Sequence, residues 1–363
     1  MRMLNLALQG GGSHGAFTWG VLDALLDDGR IGFEGLSGTS AGAVNAVALA
    51  SGWATAEAVG RDPREGAREA LAACWTRVSG WGSLGTLQQQ FLKLLWGGLP
   101  QLSPYQANPL GLNPLRDLLE ASIDFDAIAA HRDLKVFVSA THVTTGKAVV
   151  FAGRKLDAQA VLASACLPTL FQAVEIDGEA YWDGGYSVNP ALSPLTTECR
   201  TADMMLVQIN AVARGHAPRT SAAIQDRISE LTFNASLLTQ MRAIDFINRL
   251  VAEGAVSHPG CKAVRVHRID GGSGMEEFSA ASRRSPDAAM IARLFRMGQA
   301  SAGAWLQKHF AAIGHHGTVD IRGDYLDDTR LELPTPAPSP VRRVGGPGFK
   351  PWLARLLRRR RPD

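Results

Sequence analysis

Three short stretches carry residue types whose spacing could do chemistry. The first, ALQGGGSHGAF from Ala7 to Phe17, fits two templates at once. Gly10-x-Gly12-x-x-Gly15 matches a dinucleotide-binding turn, and Gly11-x-Ser13-x-Gly15 matches the nucleophile turn of a serine hydrolase. The second, Gly38-Thr39-Ser40-Ala41-Gly42, is another G-x-S-x-G. Glycines on both sides of Ser40 let a strand reverse into a helix within a few residues, leaving the hydroxyl on a strained corner at the helix N-terminus. The third, Asp183-Gly184-Gly185 within YWDGGYSVNP, places a carboxylate at a strand end between aromatic residues. Desolvation there would raise its basicity and let it accept a serine proton directly.

The flanks say which reading is chemically coherent. A dinucleotide fold needs an acid at the end of its second strand to hold the ribose hydroxyls. Glu34 precedes that end, and the serine turn stands where the acid should be. The two glycine turns instead complement each other. Loops after adjacent parallel strands lie side by side, so backbone donors of Gly10, Gly11 and Gly12 can hold an oxyanion formed by attack from Ser40. Ser13 then begins the next helix, a favoured capping position, and His14 is expected to be a solvent-exposed first-turn residue. The late histidines His216, His258, His267, His309, His315 and His316 could complete a serine-histidine-acid set by chain order, but none sits in a glycine-bounded loop that marks it out. A nucleotide- or cofactor-binding protein using the first glycine loop for phosphate is the alternative from a different class.

In order, Gly10-Gly11-Gly12-Ser13-His14-Gly15, Gly38-Thr39-Ser40-Ala41-Gly42 and Asp183-Gly184-Gly185 resemble the patatin-like phospholipase family, from about Asn5 to Leu195, with ASACLPTLF before the aspartate adding to the likeness. The resemblance implies a three-layer α/β/α fold with a mainly parallel central sheet. It also implies a serine–aspartate dyad without histidine, in which Ser40 is the nucleophile, Asp183 the base and the glycines from Gly10 the oxyanion loop. Gly15, Gly38, Gly42, Gly184 and Gly185 support these motifs. The implied substrates are acyl esters of phospholipids and related lipids, and no metal or organic cofactor is implied. An intracellular polyester or thioester hydrolase on the same dyad is not separable from these motifs.

The elements that must position these residues alternate strand and helix, which argues for parallel strands covered by helices. MLNLALQ is a strand, and the helix after it places Phe17, Val21, Leu22, Leu25 and Leu26 at helical spacing. A second strand runs to about Ser37, followed by a helix of small residues from Ala41. Residues 53–128, rich in Trp, Leu, Gly and Pro, read as an inserted helical cap; Trp53, Trp75, Trp81 and Trp96 would fill its core or receive acyl chains. Strands follow at LKVFVSATHV, KAVVFAG and EAYWDGGYS, with a helix near DAQAVLASA. Residues 5–195 are thus the expected catalytic domain and 196–333 the mainly helical remainder of the folded body. There DMMLVQIN and AVRVHRI are strands, and a long helix from Ser221 to Gly254 carries the stripe Ile224, Ile228, Leu231, Leu238, Met241, Ile244, Ile247 and Val251.

Composition bounds the rest. The chain has 363 residues, 46% of them hydrophobic, enough for a packed core. A net charge of +3 is too small to imply a nucleic-acid partner. Cys74, Cys166, Cys199 and Cys261 lie far apart without a C-x-x-C pair, which suits reduced thiols in a cytoplasm. No apolar run reaches the roughly 20 residues that span a bilayer. Residues 334–363 combine a Pro-rich linker with FKPWLARLLRRRRPD, whose apolar anchors beside a basic block suit peripheral contact with an anionic membrane.

Overall fold

Parallel strands need crossover connections, and the chain supplies them from its first forty residues onward. The computed structural model describes residues 1–81, 102–256 and 261–326. Strand β1 (Arg2–Leu8) passes through a 3-10 turn (Gly12–His14) into helix α1 (Gly15–Asp28), and β2 (Ile31–Thr39) passes through Ser40 into α2 (Ala41–Ala58). Helix α3 (Pro63–Gly80) follows, then α4 (Pro104–Ala107), α5 (Pro114–Ser122), α6 (Phe125–Ala130), β3 (Lys135–His142), β4 (Ala148–Ala152) and α7 (Ala158–Ser164). Beyond these come β5 (Val174–Ile176), β6 (Glu179–Asp183), α8 (Ser193–Thr197), β7 (Asp203–Gln208), α9 (Ser221–Ala252), β8 (Arg265–Asp270) and α10 (Ala288–His309).

Among the described residues the strands form one eight-stranded sheet in the order β5-β6-β3-β2-β1-β7-β8, with β4 also paired to β3. Strands β1, β2, β3, β7 and β8 pair parallel, whereas β4, β5 and β6 add antiparallel neighbours. Side chains alternate across the sheet. Leu6, Leu8, Val136, Val138, Met205 and Val207 enter a core with α1, α2, α3 and α10, while Ala7, Phe137, Met204 and Leu206 enter a second core with Leu195, Leu237 and Met241. Two cores on two faces make the three-layer α/β/α arrangement. Strands β7 and β8 extend the same sheet, so residues 196–326 complete this body, and residues 1–326 form one unit.

Two expectations change. The insert predicted to start at Trp53 falls inside α2, which runs unbroken to Ala58. Helix α3 packs against α1 and α2 with Ala67, Leu71, Cys74 and Trp75 in the main core, so residues 53–80 belong to the helical layer. Residues 82–101, with Trp96, lie outside the described residues, as does 327–363. The stripe predicted on α9 is also displaced. Ile224, Ile228, Leu231 and Ile247 are exposed, and the buried face is Glu230, Asn234, Leu237, Met241 and Ile244. Spacing marks a helical face but cannot tell that Glu230 has arginine partners at Arg214 and Arg227, which make its burial affordable.

Candidate active site

Strand β3 acts as a ruler for the two motifs that matter most. Its Phe137–Thr141 edge is taken on one side by β4. On the other side Thr39 of β2 pairs with Ser139, and Asp183 of β6 pairs with Ala140, the next residue. Because β2 is parallel to β3 and β6 antiparallel, the two strands meet with their C-terminal ends facing. Ser40 leaves one end and Asp183 closes the other, 143 positions apart in the chain yet neighbours in the sheet.

Ser40 holds a left-handed backbone conformation, φ 55° and ψ −122°. A side chain at such a φ costs of order 1–3 kcal/mol and persists only where its surroundings enforce it. Here its N–H donates to Ser164 Oγ at 2.8 Å, and its carbonyl accepts the Val44 N–H at 3.1 Å in the first turn of α2. That helix starts against the end of β1, where a β-carbon on Gly42 would overlap the Leu8 carbonyl. The strain therefore holds the hydroxyl at the helix N-terminus, where the partial positive charge favours a developing anion.

Asp183 is fully buried. Oδ1 accepts the Gly185 N–H at 2.8 Å, and the Asp183 N–H donates to the Cys166 carbonyl at 2.7 Å. Burial pushes the carboxyl up to about 6, while the Gly185 N–H and the Ser40 hydroxyl pull it the other way. Oδ2 is buried without a completed hydrogen bond among the described residues. The serine is thus close enough to influence the carboxylate, and an acceptor stands ready for a proton.

The glycine loop lies beside Ser40. A β-carbon on Gly10 would come within 2.8 Å of Ser40 Cβ and of the Thr39 carbonyl. The N–H of Gly10 itself donates to Asn189 Oδ1 at 2.7 Å, so it is already used and leaves the expected donor set. Gly11 and Gly12 keep N–H groups without partners among the described residues, and Gly12 needs its glycine because φ is +57°. Gly15 stands over Ala41 and Trp75, Gly38 lies in β2, Gly184 packs on Ser139, and Gly185 under Phe233. Among the described residues no cluster of three or more His, Cys, Asp or Glu is placed to hold a metal ion.

The chain matches the family model of patatin-like phospholipases over residues 6–195, more than half of its length. It belongs to that family. Membership carries lipid acyl hydrolase activity in general. No curated protein matches the chain. Among solved structures it is similar to the crystal structure of VipD from Legionella pneumophila, at 16% identity and a TM-score of 0.40, over 85% of this chain and 67% of that one.

Several residues around this patatin-like site hold roles that the motifs did not assign to them. Ser164 at the end of α7 fixes the Ser40 amide. Asn189 holds Gly10 and donates to the Phe233 carbonyl at 3.3 Å. His14, expected in solvent, is 1% exposed; its Nε2 shares a 2.8 Å hydrogen bond with Ser282 Oγ, and its ring meets Phe278 edge-on. Burial, aided by the charge of Arg283, lowers its pKa to about 3, so the ring is neutral. The 3-10 turn Ala280–Arg284 that supplies this partner comes from far along the chain, beyond any local signal. Glu34, the acid a ribose would need, accepts the N–H groups of Arg200 and Thr201 and is committed to holding that loop.

An apolar cleft opens on the site. It is lined by Ser40, Gly12, Val44, Trp75, Leu170 and Phe171 among others, and residues Asn113 to Leu115 close one side. Trp75 is buried, its Nε1 donating to Asn45 Oδ1 at 2.8 Å, so the predicted tryptophan contributes to the helical layer and to the cleft wall together. Among the described residues no helix is long and apolar enough to cross a membrane.

Proposed function

We propose that the chain hydrolyses acyl esters of lipids, with phospholipids as the main substrates, by a two-residue mechanism at Ser40 and Asp183. The meeting of β2 and β6 end to end on β3 carries this reading, because it brings the hydroxyl to a buried carboxylate that has a spare acceptor. Asp183 takes the Ser40 proton as the oxygen attacks the ester carbonyl. The tetrahedral oxyanion is held by the free N–H groups of Gly11 and Gly12 and by the N-terminus of α2, donors already oriented before charge develops. Collapse expels the alcohol, which receives the proton from Asp183. A water then attacks the acyl-serine with the same carboxylate as its base. The apolar cleft holds the acyl chain.

The pH profile tests the base. Asp183 must be ionised to accept a proton, and its carboxyl titrates near 6. Turnover of p-nitrophenyl butyrate should therefore fall tenfold per pH unit below about 6, the slope of a single ionisation. In the Asp183→Asn variant this limb should be absent from any residual rate. A limb near 4 in the wild type would mean that the base is a solvated carboxylate elsewhere.

The basic tail is part of the same proposal. Residues 334–363 would tether the enzyme to anionic lipid, each basic side chain near the interface contributing about 1 kcal/mol. A chain ending at Leu333 should co-sediment less with phosphatidylglycerol vesicles at low salt than the full chain does. The difference should shrink as salt rises, because charges near a surface are screened. Equal co-sedimentation at low salt would remove the tail from the mechanism.

A further inference from the structure

The cleft over Ser40 is mainly apolar, and the 3-10 turn Ala280–Arg284 contributes Arg283 and Arg284 to its wall. Its only charged lining residues among those described are Arg283 and Arg284. They differ in what they can do. Arg283 is turned back toward the body: its Nη2 lies 3.9 Å from Glu230, with Arg214 and Arg227 on the same carboxylate. Its backbone carbonyl packs where a β-carbon on Gly12 would have to sit. Arg284 is exposed and has no hydrogen bond or ion pair among the described residues. The turn is itself fixed against the glycine loop by the bond from Ser282 Oγ to His14 Nε2. A cation without a partner among the described residues therefore lines the same cleft as Ser40.

We propose that Arg284 is a substrate-recognition residue that selects acyl esters carrying a phosphodiester over neutral ones, the turn Ala280–Arg284 positioning it. This rests on the reading of Ser40 as the nucleophile. A guanidinium matches a phosphate in geometry as well as in charge, so the residue acts on the headgroup side of the scissile bond while the apolar cleft takes the chain. No acidic side chain lines the cleft among the described residues, so nothing there opposes an anion. Arg284 lies outside residues 6–195 matched by the family model, which makes the selectivity a property of this chain's C-terminal part.

Soluble substrates separate this role from adsorption to a surface. Dihexanoyl phosphatidylglycerol and dihexanoylglycerol, both as monomers, are assayed with the full-length wild type, Arg284→Gln and Arg284→Lys. The ratio of kcat/KM for the phospholipid to that for the neutral diester should fall about tenfold in Arg284→Gln, the size expected for losing one charge-assisted contact. The loss should sit mainly in KM, and Arg284→Lys should recover part of the ratio by restoring the charge without the fork. A merely structural residue would lower both substrates together. An unchanged ratio with Ser40-dependent turnover overturns the role of Arg284 and leaves the nucleophile standing. Turnover that survives in Ser40→Ala overturns both.

Discussion

Ser40→Ala is expected to reduce ester turnover by about 10^4-fold or more, the scale seen when a nucleophile that acts as a unit with its base is removed. The fold should survive. The backbone bonds that hold position 40 run from its N–H to Ser164 and from Val44 to its carbonyl, and an alanine keeps both. The hydroxyl acts on Asp183, whose Oδ2 completes no hydrogen bond among the described residues, so its removal breaks no well-formed bond there. Thermal denaturation within a few degrees of the wild type, together with loss of p-nitrophenyl butyrate hydrolysis, is the expected pair of results. Ser13→Ala should keep most of the activity, since it is the end of β2 at Ser40, and not the loop carrying Ser13, that meets the Asp183 end of β6 on β3. A reversed order of the two variants would exchange the nucleophile for a residue of the glycine loop.

Asp183→Asn should be nearly as inactive as Ser40→Ala and, unlike it, more stable than the wild type at neutral pH. Burial raises the folded carboxyl to about 6 from an ordinary 3.8. Folding therefore favours the protonated acid. Stability is lost as pH rises from about 4 to about 6, and above that range the folded state carries the full cost of a buried charge, on the order of 3 kcal/mol for a shift of this size. An amide keeps the acceptor for Gly185 and carries no charge, so the variant should melt higher at pH 8, with the gain vanishing toward pH 4. Denaturation curves at the two pH values check this. A variant that melts lower at pH 8 would show the ionised carboxylate to be a net structural tie. Single histidine-to-glutamine variants should all retain turnover: His267 is bonded to Asp203 and Thr318, and His14 is neutral and bonded to Ser282.

The order of the three motifs, the strand-loop-helix repeat and the residue types at Ser40, Asp183 and the glycine loop were legible in the chain, because each rests on local geometry. A G-x-S-x-G turn between an apolar strand and a small-residue helix dictates its own backbone, and α1, β3, β7 and β8 lie close to where their residue patterns put them. What a local pattern cannot carry is which groups from distant segments arrive at the same place. That Gly10 spends its N–H on Asn189, that His14 is buried under a turn some 270 residues later, and that the inward face of α9 includes Glu230 and Asn234 beside Leu237, Met241 and Ile244 were decided by packing. The span from Trp53 read as an insert for the same reason, since its charged and glycine-rich composition gives no sign that α3 closes over α1 and α2. Hydrogen-bond satisfaction and burial are properties of neighbours in space. The chain specified the residue types at positions 40 and 183, and only the sheet register on β3 decided that Ser40 and Asp183 meet.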